Sequence, residues 1–326
     1  MLKIFNANQK NFSRKLESIL DIRKQKQKNK SFIVKKILSD VKNQGDKAVI
    51  KYEKKFSNIK SKQKQIKFSK EEINKITKKV SKDLKRSIDL AYTRIKKFHL
   101  KQKLPSFTYK DKYNNELSYR YSSIDRVGVY VPGGTASYPS TVLMNCIPAL
   151  VAGVRNIYLT TPSLGSLVNP AIIYAAKKCG VKEIYKTGGA HSIAALTYGT
   201  KTFKKVDKIV GPGNAFVATA KKEVFGDVGI DMIAGPSEVS IIADKNSNSQ
   251  WIASDLIAQA EHDFLAQSIL ISNNKELIKK VNDDLKIQLK NLPKKMIAAK
   301  SLKKFGLSIY AKSQKKIIEV TNTIAP

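Results

Sequence analysis

The sequence predicts an α/β fold made of two Rossmann-like domains with parallel-rich sheets, preceded by a helical N-terminal segment. Three observations predict it. From Val127 onward, short apolar runs of strand length alternate with Ala-rich helical stretches, the pattern of a parallel sheet with crossover helices. Glycine-rich turns follow several of those runs, at the strand ends where parallel α/β sheets carry their ligand loops. Before Val127 the chain is polar and Lys-rich, with apolar residues at helical spacing.

Taken in order, residues 1 to about 104 read as helices. Phe32, Ile33, Val34, Ile37, Val41 and Val49 predict one long helix weakened at Gly45. Ser69 followed by Glu72 spells a capping box, and Ile73, Ile76, Val80 and Leu84 continue the helix it opens. Residues 105–126 alternate around an Asn-Asn turn signal and predict a β-hairpin connector. The next strands are VGVYV (127–131), NIYLT (156–160), EIYK (183–186) and KIVG (208–211), with helices near 139–153, 168–179, 190–198 and 215–224. A second run follows: EVSIIAD (238–244), a helix near 250–261, SILISN (268–273), a helix from Lys275, another near 293–302, LSIYA (307–311), and a helix near 313–320. The expected division is a discontinuous first domain, 1–126 plus 238–326, and a second domain, 127–237. The ligand crevice is expected at the carboxyl ends of the strands, between the two.

The chain has 326 residues, enough for two cores. Its formal net charge of +35 raises nucleic acid as a partner. Only seven of the 61 basic residues are Arg, however, and the Lys residues are spread through helices instead of clustering between aromatics. The reading is a solvated Lys-rich surface with no specific nucleic-acid partner. No apolar run approaches the roughly 20 residues that span a bilayer, and the start of the chain lacks a signal-peptide apolar region, so the expected location is the cytoplasm. Cys146 and Cys179 lie far apart in sequence and read as buried free thiols.

Three glycine-rich turns come after strands: Pro132-Gly133-Gly134-Thr135, Gly188-Gly189-Ala190-His191 and Gly211-Pro212-Gly213-Asn214. Each suits an anion at a helix start, and each is also compatible with a tight turn that binds nothing. His191 is one of three histidines and reads equally as a helix-terminal hydrogen bond or a ligand contact. Asn214 is either the N-cap of the next helix or a polar ligand contact. Gly235-Pro236-Ser237-Glu238 places a hydroxyl before a strand; no nucleophile elbow surrounds it, so Ser237 reads as a hydrogen-bonding residue. Gln259 and His262 are spaced to share one helix face with Asp255, an arrangement that could hold zinc with Asp255 orienting the imidazole, or could be a plain surface helix.

The spellings RVGVYVPGG, STVLMNCIPALVAGV, KIVGPGNAFV, DMIAGPSEV and ASDLIAQAEHD resemble histidinol dehydrogenase over about residues 30–326. The resemblance implies a zinc-dependent homodimer that oxidises L-histidinol to L-histidine in two NAD-dependent steps through an enzyme-held aldehyde, the last reaction of histidine biosynthesis. It implies NAD contacts from Tyr130 and Asn214, and from His191 where the family usually has Gln. It implies substrate contacts from Ser237, Gln259 and His262, the last two also being zinc ligands. In the family the IAP spelling is followed at once by a Glu-His pair that does the acid and base work, and later by an Asp and a His that complete the zinc site. This chain ends at Pro326, so no catalytic residue is expected within it, and the polypeptide as given is expected to be inactive. A paralogue acting on another small amino or sulfonated alcohol is the alternative.

Overall fold

The computed structural model describes residues 2–28, 30–56, 66–133, 138–163, 168–233, 237–293 and 295–326. The chain divides into two compact units, Met1–Asn29 with Ala234–Pro326, and Lys30–Ile233. This division differs from the expected one, because residues 30–126 pack on the second sheet instead of joining the first. The split unit opens with β1 (Lys3–Asn6) and α1 (Phe12–Lys28), after which the chain enters the central unit.

The central unit begins with α2 (Ser31–Gln44) and α3 (Asp46–Phe56), which the sequence predicts as one helix. Gly45 separates them at φ +54°, a conformation that few side chains tolerate, and its N–H caps the Val41 carbonyl. The capping box forms as predicted: Ser69 Oγ accepts from the Glu72 N–H at 3.1 Å and Glu72 Oε2 accepts from the Ser69 N–H at 2.9 Å. The helix it opens, α4 (Lys70–Lys78), nonetheless stops before Val80. Ser81 Oγ accepts from the Leu84 N–H at 3.3 Å and starts α5 (Lys82–Leu100), so a second N-cap divides what periodicity alone joins.

The predicted connector is β2 (Phe107–Lys110) and β3 (Glu116–Tyr119), an antiparallel pair whose strand residues are all exposed. The rest of the unit alternates β4 (Arg126–Tyr130), α6 (Pro139–Ala152), β5 (Asn156–Thr160), α7 (Pro170–Lys178), β6 (Glu183–Tyr185), α8 (Gly189–Tyr198), β7 (Lys208–Val210), α9 (Ala215–Val224) and β8 (Gly229–Ile230). The five strands form a parallel sheet in the order β6-β5-β4-β7-β8.

Alternation along β4 feeds two cores. Val127 and Val129 join Ile157, Leu159 and Ile184 beneath α6, α7 and α5, while Tyr130 joins Tyr158 and Tyr185 beneath α8, α9, α2 and α3. Cys146 and Cys179 are buried free thiols in the first of these cores. Their thiols meet, and this contact together with burial pushes Cys146 well above the ordinary thiol range, which disarms it as a nucleophile.

The chain then returns to the split unit with β9 (Glu238–Ala243), α10 (Ser249–Ala260), β10 (Gln267–Ser272), α11 (Lys275–Lys290), α12 (Lys295–Phe305), β11 (Leu307–Tyr310) and α13 (Gln314–Ile324). These strands and β1 form a second parallel sheet in the order β1-β11-β10-β9. Leu270 faces the core of α10, α11 and α12; Ile269 and Ile271 face the core of α1 and α13. The four-residue strand β1 lies in a stretch read as helical, since its partner β11 is some 300 residues away and leaves no local pattern. No described helix is long and apolar enough to cross a membrane.

Candidate functional site

In the central unit the predicted cofactor residues gather at the carboxyl ends of β4, β6 and β7. Tyr130 is the last residue of β4, and its hydroxyl accepts the Gly189 N–H at 3.1 Å, joining β4 to the first turn of α8. Burial pushes the Tyr130 phenol up to about 12, with the Glu53 carboxylate adding to the rise and the Gly189 N–H opposing it.

The His191 ring is 2% exposed, and its Nε2 lies 2.8 Å from Glu53 Oε2. The same carboxylate oxygen accepts the Thr187 hydroxyl at 2.6 Å and the Gly188 N–H at 3.4 Å. Glu53 comes from α3, and it is the residue here that sequence reasoning missed: no motif marks a Glu on a Lys-rich helix as the anchor of a turn 138 residues away. Sequence spacing leaves open whether His191 makes a structural hydrogen bond or a ligand contact, and the ring does make the structural bond. Gly188 sits against Pro162, where a Cβ would stand 2.2 Å from the ring Cγ, so this turn is closed by packing as well.

Asn214 is the N-cap of α9, its Oδ1 accepting the N–H groups of Phe216 at 3.0 Å and Val217 at 3.2 Å. The residue is exposed, and the amide nitrogen has no protein partner. The Gly211–Asn214 turn is clamped by two further residues that sequence reading left unmarked. Lys221, 3% exposed, pairs with Asp231 Oδ1 and donates to the Gly211 carbonyl at 3.0 Å, while Asp231 Oδ2 accepts the Gly211 N–H at 2.8 Å. Of the first glycine-rich turn, Gly134 and Thr135 lie outside the described residues.

The raised phenols make a pH prediction. Tyr52, hydrogen-bonded to Asp40 at 2.6 Å, is raised like Tyr130 to about 12, by burial first and then by that bond. A phenol with a folded value above its unfolded value of 10.0 contributes stability that is whole below that pH and is lost as pH rises toward the folded value. Urea unfolding should therefore show falling stability from about pH 10 to about pH 12. The fall should be smaller in Tyr130→Phe; stability flat across that window would contradict the assignment.

In the split unit Ser237, Gln259 and His262 lie at the amino ends of β9 and β10, contrary to the expectation of carboxyl ends. Ser237 directly precedes β9 and is exposed, its carbonyl accepting the Gln267 N–H at 3.1 Å; Gly235 and Pro236 lie outside the described residues. Gln259 is in the last turn of α10, half-buried, with its Nε2 buried and unpartnered. His262 is not on the helix face with Asp255 and Gln259. The helix ends at Ala260 and His262 stands exposed in the following turn, its N–H held by the Gln259 carbonyl at 3.3 Å, and no hydrogen bond joins it to Asp255.

For zinc, the unspent amide of Gln259 and the free imidazole of His262 are suitable donors, which is what a partial site requires. Among the described residues no group of three or more His, Cys, Asp and Glu could hold a metal, so these two make at most half a tetrahedral set.

Residues 21–326 match the family described as histidinol dehydrogenase. The chain is 54% identical to a histidinol dehydrogenase of Pelagibacter ubique (strain HTCC1062), an alignment that covers 100% of this chain and 76% of that protein. It is 48% identical to a histidinol dehydrogenase of Clostridium acetobutylicum, over 90% of this chain and 68% of the relative. Among solved structures it is similar to histidinol dehydrogenase from Elizabethkingia anophelis, with a TM-score of 0.83 and 40% identity over 90% of this chain and 68% of that one.

Proposed function

The chain belongs to the histidinol dehydrogenase family, and we propose from this that it supplies the dinucleotide-binding unit and part of the substrate site for the NAD-dependent oxidation of L-histidinol to L-histidine in the cytoplasm. The observation that carries the cofactor reading is the convergence of Tyr130, the Gly188-Gly189 turn and Asn214 on the carboxyl edge of one parallel sheet. NAD, when bound, supplies the hydride acceptor; the protein's part is to orient it. Tyr130, kept protonated by burial, holds the start of α8, and Asn214 offers its exposed amide N–H groups beside the start of α9.

Ser237 contributes a hydroxyl to the substrate site. Gln259 and His262 would hold zinc, which supplies a Lewis acid that anchors the imidazole and amine of histidinol. Half a ligand set binds metal weakly. The acid and base pair implied by the family resemblance falls in the part of the relatives that this chain does not span. Two outcomes are expected for the 326-residue polypeptide: saturable NADH binding by fluorescence, and no appreciable NADH formation from histidinol and NAD. Turnover like that of a full-length relative would refute the second, and tight one-to-one zinc in a calorimetric titration would refute the half-site.

A homodimer is part of the same proposal. The β2–β3 hairpin supports it: Phe107, Tyr109 and Tyr119 are each more than half exposed, and the pair has open edges that can hydrogen-bond to a second copy. In a chain of net charge +35, like-charge repulsion opposes self-association almost everywhere else. Here Lys110 faces Glu116, leaving the two strands neutral. Sedimentation equilibrium should give a dimer, and Tyr119→Glu a monomer. A wild-type monomer at every concentration would overturn it.

A further inference from the structure

We infer that Glu53 is a positioning residue that locks the His191 ring with Nδ1 as a bare acceptor at the β6–α8 turn, ready for a hydrogen-bond donor of the bound dinucleotide. The inference rests on the NAD reading above. A carboxylate can only accept, so the 2.8 Å contact makes Nε2 of His191 the protonated nitrogen. Nδ1 is then the nitrogen with the lone pair, and it is buried with no partner.

An imidazolium would bury an unanswered N–H in its place, which a site walled by Tyr52 and Phe56, their rings 6.1 Å from that of His191, does not favour. The free nitrogen looks onto the turn. Residue 189 is a glycine at φ +69°, and a Cβ there would stand 3.5 Å from Nδ1, in the space the nitrogen faces.

The surrounding polar groups are already committed. The Thr187 hydroxyl and the Gly188 N–H go to Glu53, and the Gly189 N–H goes to Tyr130. What the turn lacks is a donor for Nδ1. A phosphate cannot provide one; a ribose hydroxyl or the nicotinamide carboxamide N–H can. Oxygen and nitrogen donors from the same dinucleotide share this chemistry.

The chain has three histidines, so ¹⁵N imidazole spectra are resolvable. His191 should appear as the neutral Nε2–H tautomer between pH 6 and 8, and NADH should move its Nδ1 resonance in the direction of an accepted hydrogen bond. ADP-ribose moving it equally assigns the donor to a hydroxyl; a shift with NADH alone assigns it to the carboxamide. Glu53→Leu should mix the tautomers and weaken NADH binding by about tenfold, roughly the value of one hydrogen bond. Glu53→Gln keeps an acceptor and should stay within about threefold of wild type, which also covers the case in which Glu53→Leu does not fold.

A protonated Nδ1 in the free protein overturns the inference, as does NADH binding that leaves Nδ1 unmoved. Absence of NADH binding to the wild-type chain instead overturns the dinucleotide reading, and the tautomer still decides what Glu53 does.

Discussion

Gly211→Ala is expected to cost more than about 4 kcal/mol and to leave little folded protein, an effect in the range reserved for gross steric conflict. A Cβ on Gly211 would stand 2.1 Å from the Tyr130 carbonyl oxygen and 3.1 Å from its carbon, both backbone atoms of the neighbouring strand, at φ +112°. No rotamer change relieves such a clash. Only separation of β4 from β7 does, and that breaks the register in which Val129 faces Val210. Gly226→Ala is the control. Its φ of +108° is as strained, but nothing lies within 4 Å, so it should cost only the backbone term of about 1–3 kcal/mol. Equal urea midpoints for the two variants would show that the close approach to Tyr130 is not what requires glycine.

Lys221→Met is expected to cost about 3 kcal/mol and to loosen the Asn214 turn. It removes the donor to the Gly211 carbonyl and leaves Asp231 without its cation, though Asp231 keeps the Gly211 N–H and is 29% exposed, which holds the cost to the low end for a buried pair. Adding Asp231→Asn should recover part of the loss, because the uncompensated charge goes while an acceptor for the Gly211 N–H stays. Lys286→Met removes an exposed pair with Asp283 and should change stability by less than about 1 kcal/mol. Should Lys221→Met fall in that same range, the clamp is not holding the turn. NADH affinity should fall with Lys221→Met and not with Lys286→Met.

Much of the fold was legible because its signals are local. The strands NIYLT and EIYK are apolar runs bounded by turn residues, and the structure places β5 and β6 on them. The capping box at Ser69 needs only residues three apart, and it forms as spelled. The same locality explains the failures. Val80 and Leu84 have helical spacing from Ser69, but the competing cap at Ser81 ends the first helix. His262 has the spacing of a shared helix face with Gln259, but α10 stops two residues earlier.

The site was legible as residue types in turns and illegible as a network. Tyr130, Asn214 and His191 lie in recognisable glycine-rich spellings, whereas Glu53 lies in none and still holds the turn that carries His191.

By itself the sequence determined the alternation of strands and helices, the identity of the turns and the family resemblance, since periodicity and turn chemistry are written in residues a few positions apart. Only the tertiary structure decided that β1 joins β11, that the helices from Lys30 belong with the central sheet, that Cys146 meets Cys179, and that Glu53 reaches His191 and Lys221 reaches Asp231. Those pairings are selected by burial: a polar or apolar group removed from water takes whatever partner the packed chain brings within reach, and no local pattern specifies which one that will be.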